Sequence, residues 1–157
     1  MVQIFLVHTK TRDAKSGSRL FCYNRYMDNE DIISYNNQQS SEQKAICELL
    51  MHEITSSLPG SAARLFHSHP AWFIDGNPIV GYDVSPGYVN LLFWSGQSFD
   101  EPHLAPKGTF KAAGISYGVI EAMNIDSLRR WLHKSVALQW DYKNLRANAG
   151  QLVKISA

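Results

Sequence analysis

The sequence predicts an α+β protein with a twisted antiparallel sheet of about five strands and helices packed on one face of that sheet. Two observations favour this class. Residues 67–94 contain three apolar runs rich in aromatic and β-branched residues, separated by Gly-Asn-Pro and Ser-Pro-Gly, which is typical of an antiparallel meander. Segments with helical periodicity lie before and after the meander, which gives the order helix, sheet, helix.

Length, composition and charge are those of one ordinary domain. The chain has 157 residues, 45% of them hydrophobic, so it can bury a core without a second domain. The formal net charge of +1 argues against a strong phosphate-binding surface, and therefore against nucleic acid as a partner. The middle of the chain is acidic and both ends are basic, which leaves a homodimer open.

The cysteines and the N-terminal apolar run bear on the compartment. Cys22 and Cys47 form no CxxC pair, so neither a disulfide framework nor a zinc knuckle is predicted. The apolar run at residues 2–7 lacks a preceding basic region and is too short for a signal peptide core or a membrane span. We therefore predict a cytoplasmic protein with no membrane partner.

The predicted domain boundary lies near residue 27. Residues 1–26 continue from the apolar run through a polar stretch without periodicity, so we expect a poorly ordered N-terminal extension there. The single domain is expected to span residues 27–157, because Met27 is followed by Asp28, an acceptable helix N-cap residue.

Two helices are predicted before the meander. The first is a short one at residues 28–36. Ser40 and Gln43 then fit a capping box, with apolar residues at helical spacing after it. This pattern predicts a helix over about residues 41–58, because Pro59-Gly60 stops the repeat.

The strands and the last helices follow in order. Residues 62–67 are a candidate first strand, and residues 88–94 are apolar at nearly every position, as expected for a strand covered on both faces. Residues 108–117 return to strand character. Asp126 is predicted to cap a further helix, and residues 140–148 predict a final amphipathic one.

Several motifs between about residues 41 and 137 occur together. They are the capped helix ending in Leu58-Pro59, His69-Pro70-Ala71-Trp72-Phe73 with Gly76, the run from Tyr88 to Gly96, Asp100-Glu101-Pro102-His103, and Lys107-Gly108. With these motifs the chain resembles the YdhG-like family, also called the domain-of-unknown-function 1801 family. The resemblance implies a frataxin-related fold and an iron-chaperone-like role as an intracellular binding protein. Lys111 stands where the family pattern leads us to expect Arg.

Histidines and an acidic loop suggest a metal site. His67 and His69 would point to the same face of an extended strand, where two imidazoles can chelate a divalent ion. Asp100 and His103 in the following long loop would complete the set, with iron as the metal that the family resemblance implies. The alternative is that His69 begins an ordinary turn and His67 lies on the surface.

Aromatic residues suggest a small-molecule site. Strand alternation places Tyr88, Asn90 and Trp94 on one face. Trp72 adds a further aromatic ring with an indole N–H that can donate a hydrogen bond. Asn90 is polar within an apolar strand, so it needs a hydrogen-bond partner, which a ligand could supply. The alternative is that the aromatic residues form the core between sheet and helices.

Two further functions stay open. The chain contains no GxSxG, HExxH, glycine-rich phosphate loop or Walker pattern, so an enzyme would have to use His69 or His103 as a general base. An interaction module would instead use the basic residues of the C-terminal helices. They are Arg129, Arg130, Lys134, Lys143 and Arg146, with Trp131, Trp140 and Tyr142 among them. Non-enzymatic binding of a metal ion or a small molecule is the leading hypothesis.

Overall fold

The computed structural model describes residues 29–155, and the predicted extension and the predicted start of the domain lie outside them. Within this range the chain forms three α-helices, a six-stranded antiparallel sheet and a two-stranded sheet. The predicted α+β class with a twisted antiparallel sheet is confirmed. Among the same residues, no helix has both the length and the apolar character that crossing a membrane requires.

The two helices before the sheet lie where the sequence places them. Helix α1 spans Glu30–Asn37, and helix α2 spans Ser41–Ser57. The predicted capping box is formed, because the Ser40 Oγ accepts a hydrogen bond from the Gln43 backbone N–H at 3.4 Å and donates to the Gln43 side-chain oxygen at 3.1 Å.

The helix after the sheet, α3, spans Ile125–Ala137. Its N-cap residue is Asn124, whose side-chain oxygen accepts from the Ser127 N–H at 2.9 Å. Asp126, the expected cap, instead lies in the first turn, where a negative charge also favours the helix N-terminus.

The final helix predicted at residues 140–148 is absent from the described part of the chain. Gln139–Trp140 forms strand β7, which pairs with strand β8 at Lys154–Ile155, and turns occupy most of the segment between them. The Asp141 carboxylate accepts from the Asn144 backbone N–H at 3.1 Å and so caps the turns that follow, which do not continue into a helix.

The main sheet contains one strand more than expected. Its strands are β1 at Ala62–Phe66, β2 at His69–Ile74, β3 at Asn77–Ser85, β4 at Tyr88–Phe93, β5 at Ala105–Pro106 and β6 at Ala113–Tyr117. Their spatial order is β1-β2-β3-β4-β6-β5, and every neighbouring pair is antiparallel. The short strand β5 lies in the long loop and accounts for the difference.

The sheet has two unlike faces. The covered face packs against the helices and contributes most of the core, including Trp72, Val80, Tyr82, Val89, Leu91, Phe93 and Tyr117. The open face carries the alternating residues of the same strands, including Phe66, His69, Ala71, Gly81, Asp83, Tyr88, Asn90 and Leu92. The expectation that β4 is covered on both faces is corrected, since Tyr88 on the open face is 54% exposed.

Ion pairs join the helix layer together. Glu53 in α2 accepts two hydrogen bonds from the Arg129 guanidinium in α3, at 2.7 and 2.9 Å. Glu101 in the long loop accepts two from Arg130 at 2.8 Å and one from Lys134 at 2.6 Å. These bonds hold the pKa of both carboxyl groups below its ordinary value.

The buried side chain of Asn77 fixes the C-terminal segment to the start of β3. Its amide oxygen accepts from the backbone N–H groups of Tyr142 and Lys143 at 3.0 and 3.1 Å. Its amide nitrogen donates to the Trp140 carbonyl at 3.0 Å. A single side chain therefore satisfies three backbone groups of a segment that has no helix of its own.

Candidate functional site

A small slot lies on the open face, and its floor consists of two small residues. Ala71 of β2 and Gly81 of β3 are directly paired there. A Cβ atom at position 81 would lie 2.6 Å from the Pro70 carbonyl oxygen and 3.3 Å from the Trp94 ring. Glycine is therefore the residue that allows Trp94 to lie over this part of the sheet.

Aromatic and aliphatic side chains form the walls of the slot. Phe66 and His67 stand on the β1–β2 side, and Leu92 and Trp94 stand on the β4 side. The Phe66 and Trp94 ring centroids are 6.3 Å apart, so the two walls contact each other at one end. The slot has a volume of about 140 Å³. This volume is below the roughly 300–1,000 Å³ that is usual for drug-sized ligands.

A hydrogen-bond network positions the polar edge of the slot. Asp83 lines the slot, and its Oδ1 accepts from the Asn90 Nδ2 at 2.8 Å. The same amide donates to the Ser85 Oγ at 2.9 Å, while its oxygen accepts from the Ser116 hydroxyl at 2.6 Å. Side chains of the protein therefore satisfy Asn90, and Asn90 in turn fixes the orientation of the Asp83 carboxylate.

The turn beside the slot has a backbone conformation that is uncommon for its residues. His67 and Ser68 connect β1 to β2 with φ angles of 48° and 68°. Two central residues with positive φ are characteristic of a type I′ turn, which favours Asn-Gly over the His-Ser found here. This geometry brings the His67 ring to 4.2 Å from the Phe66 ring. His67 is therefore not in the extended conformation that the metal hypothesis assumes.

The structure does not bring the four predicted metal ligands together. His67 and His69 lie at the β1–β2 end of the sheet, whereas Asp100 and His103 are exposed in the loop between the Gly96–Phe99 3₁₀ turn and β5. Strands β2 and β5 are four spacings apart in the strand order, or roughly 19 Å. Within residues 29–155 no group of three or more His, Cys, Asp or Glu side chains could hold a metal ion.

The four predicted small-molecule residues have separate positions. Trp94 lines the slot. Asn90 lies behind the slot and acts on it through Asp83. Tyr88 is exposed at the start of β4 and does not line the slot. Trp72 is 1% exposed on the covered face, where its indole N–H donates to the Thr55 hydroxyl at 3.3 Å, so it belongs to the core.

Most residues that build the slot were not among the sequence candidates. They include Phe66, Ala71, Gly81, Asp83 and Leu92. A two-residue turn at Pro86-Gly87 pairs Ser85 with Tyr88, and this register alone places Gly81 opposite Leu92 and Asp83 opposite Asn90. The turn signal was therefore sufficient to find Gly81 and Asp83, if alternation along β4 is extended across the turn to β3.

The two alternative functions gain no support from the described residues. No histidine lies within 4.0 Å of a carboxylate oxygen between residues 29 and 155, although His69 and Asp83 line the same slot. Most of the basic residues proposed for an interaction module already form hydrogen bonds or ion pairs with other residues of the same chain. Arg129, Arg130 and Lys134 pair with glutamates, and Lys143 donates to the Asp75 carbonyl at 2.8 Å.

A second groove lies between the end of α2, strand β2 and the end of α3. Its volume is about 470 Å³, and it is lined by Ser57, Leu58, Pro59, Ile74, His133, Val136 and Ala137. Its surface is mostly apolar, and no set of polar side chains converges on it. The buried thiol of Cys47 also offers no site, because burial raises its pKa to about 12.

Comparisons with models of protein families, with curated proteins and with solved structures give no match. The resemblance to the YdhG-like family therefore stays a prediction that rests on the sequence motifs. Among residues 29–155, the slot brings sequence candidates together in one place: Trp94 contributes a wall, and Asn90 fixes the orientation of a carboxylate.

Proposed function

We propose that this protein is a non-enzymatic binding domain that takes a small organic group into the slot on the open face of its sheet. The observation that carries the proposal is the juxtaposition of a Gly81 floor with the Trp94 wall. Ala71 and Gly81 carry almost no side chain, so the space between the aromatic walls stays open to a ligand.

The slot supports an organic ligand better than a metal ion. Its walls are mainly carbon, and its polar contribution comes from the edges, which is the usual composition of a small-molecule site. A metal would need three or more ligands within reach of one ion, and the carboxylate and imidazoles that line the slot do not form such a group. We further propose a cytoplasmic location and YdhG-like family membership, as the motifs imply.

Nuclear magnetic resonance of the full ¹⁵N-labelled chain with a library of small organic fragments tests the proposal. We expect binding fragments to shift the amide signals of Gly81, Leu92 and Trp94. Gly81→Ala should weaken this binding by at least about tenfold, because the added methyl group occupies the floor. Gly118→Ala is the matched control, since a Cβ atom there meets nothing closer than 3.6 Å.

Two results would contradict the proposal. One is a screen in which no fragment shifts the slot signals. The other is binding that Gly81→Ala leaves unchanged while the shifted signals map to the groove beside His133 and Val136. The second result would show that the binding site is the groove between the ends of α2 and α3.

A further inference from the structure

We propose that the group held in the slot is an organic cation, such as a quaternary ammonium group, with Asp83 as its counter-charge. This inference rests on the proposed function and names the chemical class of its ligand. Its evidence is the state of the Asp83 carboxylate, the aromatic walls and the size of the slot.

The Asp83 carboxylate is half-buried and has no cationic partner among the described residues. The ion pairs of residues 29–155 use Glu48, Glu53 and Glu101. Asp83 instead accepts one neutral hydrogen bond from Asn90 through Oδ1, and no described side chain donates to its Oδ2. A partly desolvated carboxylate with an unpaired oxygen is stabilised by a cation brought to the slot.

The aromatic walls favour a cation in the same place. The faces of tryptophan and phenylalanine rings attract cations through their quadrupoles, most strongly for Trp. Phe66 and Trp94 supply such rings to the slot that Asp83 also lines. The open face already holds one cation in this way, because the Arg64 guanidinium carbon lies 3.9 Å from the Phe73 ring centroid. Phe73 does not line the slot, so Arg64 leaves the slot free.

The size of the slot fits a compact head group. Its volume of about 140 Å³ corresponds to roughly four to five water molecules in the liquid. A tetramethylammonium ion, with about five heavy atoms, has this scale, whereas a nucleotide or a cofactor does not. His67 and His69 also line the slot, so every titration is made at one mildly alkaline pH.

The test compares two ligands of the same shape. The full chain is titrated near pH 8 with choline and with 3,3-dimethyl-1-butanol, its neutral analogue, while the amide signals of Gly81, Leu92 and Trp94 are followed. We expect choline to bind about tenfold more tightly than the alcohol. Asp83→Asn, which keeps the shape and the bond from Asn90, should remove most of this difference. Asp75→Asn, at an exposed turn, is the matched control.

The outcomes separate this inference from the function on which it rests. If choline and the alcohol bind equally at the slot, and Asp83→Asn does not change this, the ligand is not selected for positive charge. The proposal that the slot binds a small organic group would be retained. Absence of binding by choline, the alcohol and the fragment library would overturn both. If Asp83→Asn does not fold, Trp94→Leu replaces it, and it should weaken choline binding more than alcohol binding. Equal weakening would contradict a cation–π contact.

Discussion

The covered face and the open face of the sheet are built from the same strands, yet their centres differ. At the centre of the covered face, Trp72, Tyr82 and Leu91 are each 2% exposed or less and pack under the helices. At the centre of the open face, Ala71 and Gly81 leave a recess beside a partly exposed Trp94. Burial therefore stabilises the fold mainly through one face, which leaves the other available for a ligand.

The largest expected effect is on the free energy of unfolding, and it differs between two tryptophans on opposite faces of the sheet. Trp72→Ala should lower the free energy of unfolding by about 3–5 kcal/mol, because it opens a cavity in the core. Trp94→Ala should lower it by only about 1–2 kcal/mol, because that side chain is already partly exposed. Urea unfolding of both variants measures the difference. Equal losses would show that the open face contributes as much to stability as the covered face.

The next effect concerns the floor of the slot. Gly81→Ala should destabilise the protein by about 1–3 kcal/mol, since the new Cβ would lie 2.6 Å from a backbone oxygen and something must move. Gly118→Ala should change stability little, because the space around that position is ordinary. Thermal unfolding of the pair provides the comparison. A neutral Gly81→Ala would mean that the recess adjusts easily, and the slot would then lose its defined shape.

Acid should lower the stability of the protein through Glu101, which pairs with helix α3. The hydrogen bonds from Arg130 and Lys134 hold the pKa of Glu101 far below its ordinary value of 4.5. Glu101 therefore adds stability above about pH 4.5, and this contribution is lost as the pH falls towards the lowered pKa. Glu101→Gln should reduce the proton uptake on acid unfolding by about one proton.

Urea unfolding between about pH 2 and pH 5 measures that uptake. The control is Glu121→Gln, which removes an exposed carboxylate outside the ion pairs of the described residues. An identical pH dependence for Glu101→Gln and the unsubstituted protein would show that the long loop is not held to α3 by this charge.

The smallest effect concerns the turn beside the slot. Ser68 has a φ of 68°, a left-handed conformation that costs a non-glycine residue about 1–2 kcal/mol. Ser68→Gly should therefore stabilise the protein by about 1 kcal/mol at most, because added chain entropy in the unfolded state offsets part of the gain. A rise in the thermal midpoint would confirm this. A fall would mean that the serine side chain contributes more than the relief of strain.

The fold was predictable because its signals are local. The capping box at Ser40 and Gln43 predicted α2 to within a residue, and the turn dipeptides predicted the meander. The errors arise where a local signal has two solutions. Asn124 and Asp126 are both good cap residues, and the helix begins after Asn124. The predicted final helix failed because contacts with Asn77, far away in sequence, hold that segment.

The site was less predictable because it depends on register between strands. Trp94 and Asn90 were found from alternation within one strand. Gly81 carries no chemical signal by itself, and its role follows from what lies above it. The structure does not bring the predicted metal ligands together. Their spacing in sequence places the members of each pair close to each other, but the strand order places the two pairs near opposite edges of the sheet.

The Asn77 contact sets a lower limit on how far the chain can be shortened from its C-terminus. Asn77 is 4% exposed, and its three backbone partners lie 63 to 66 positions later in the sequence. In a protein that ends before Trp140, the Asn77 amide would lose those hydrogen-bond partners while it stays buried away from water, which lowers the stability of the fold. Residues 140–143 are therefore needed to satisfy a buried side chain of the sheet, although they lie far from it in sequence. Any shortened version of the protein should retain the chain through Lys143.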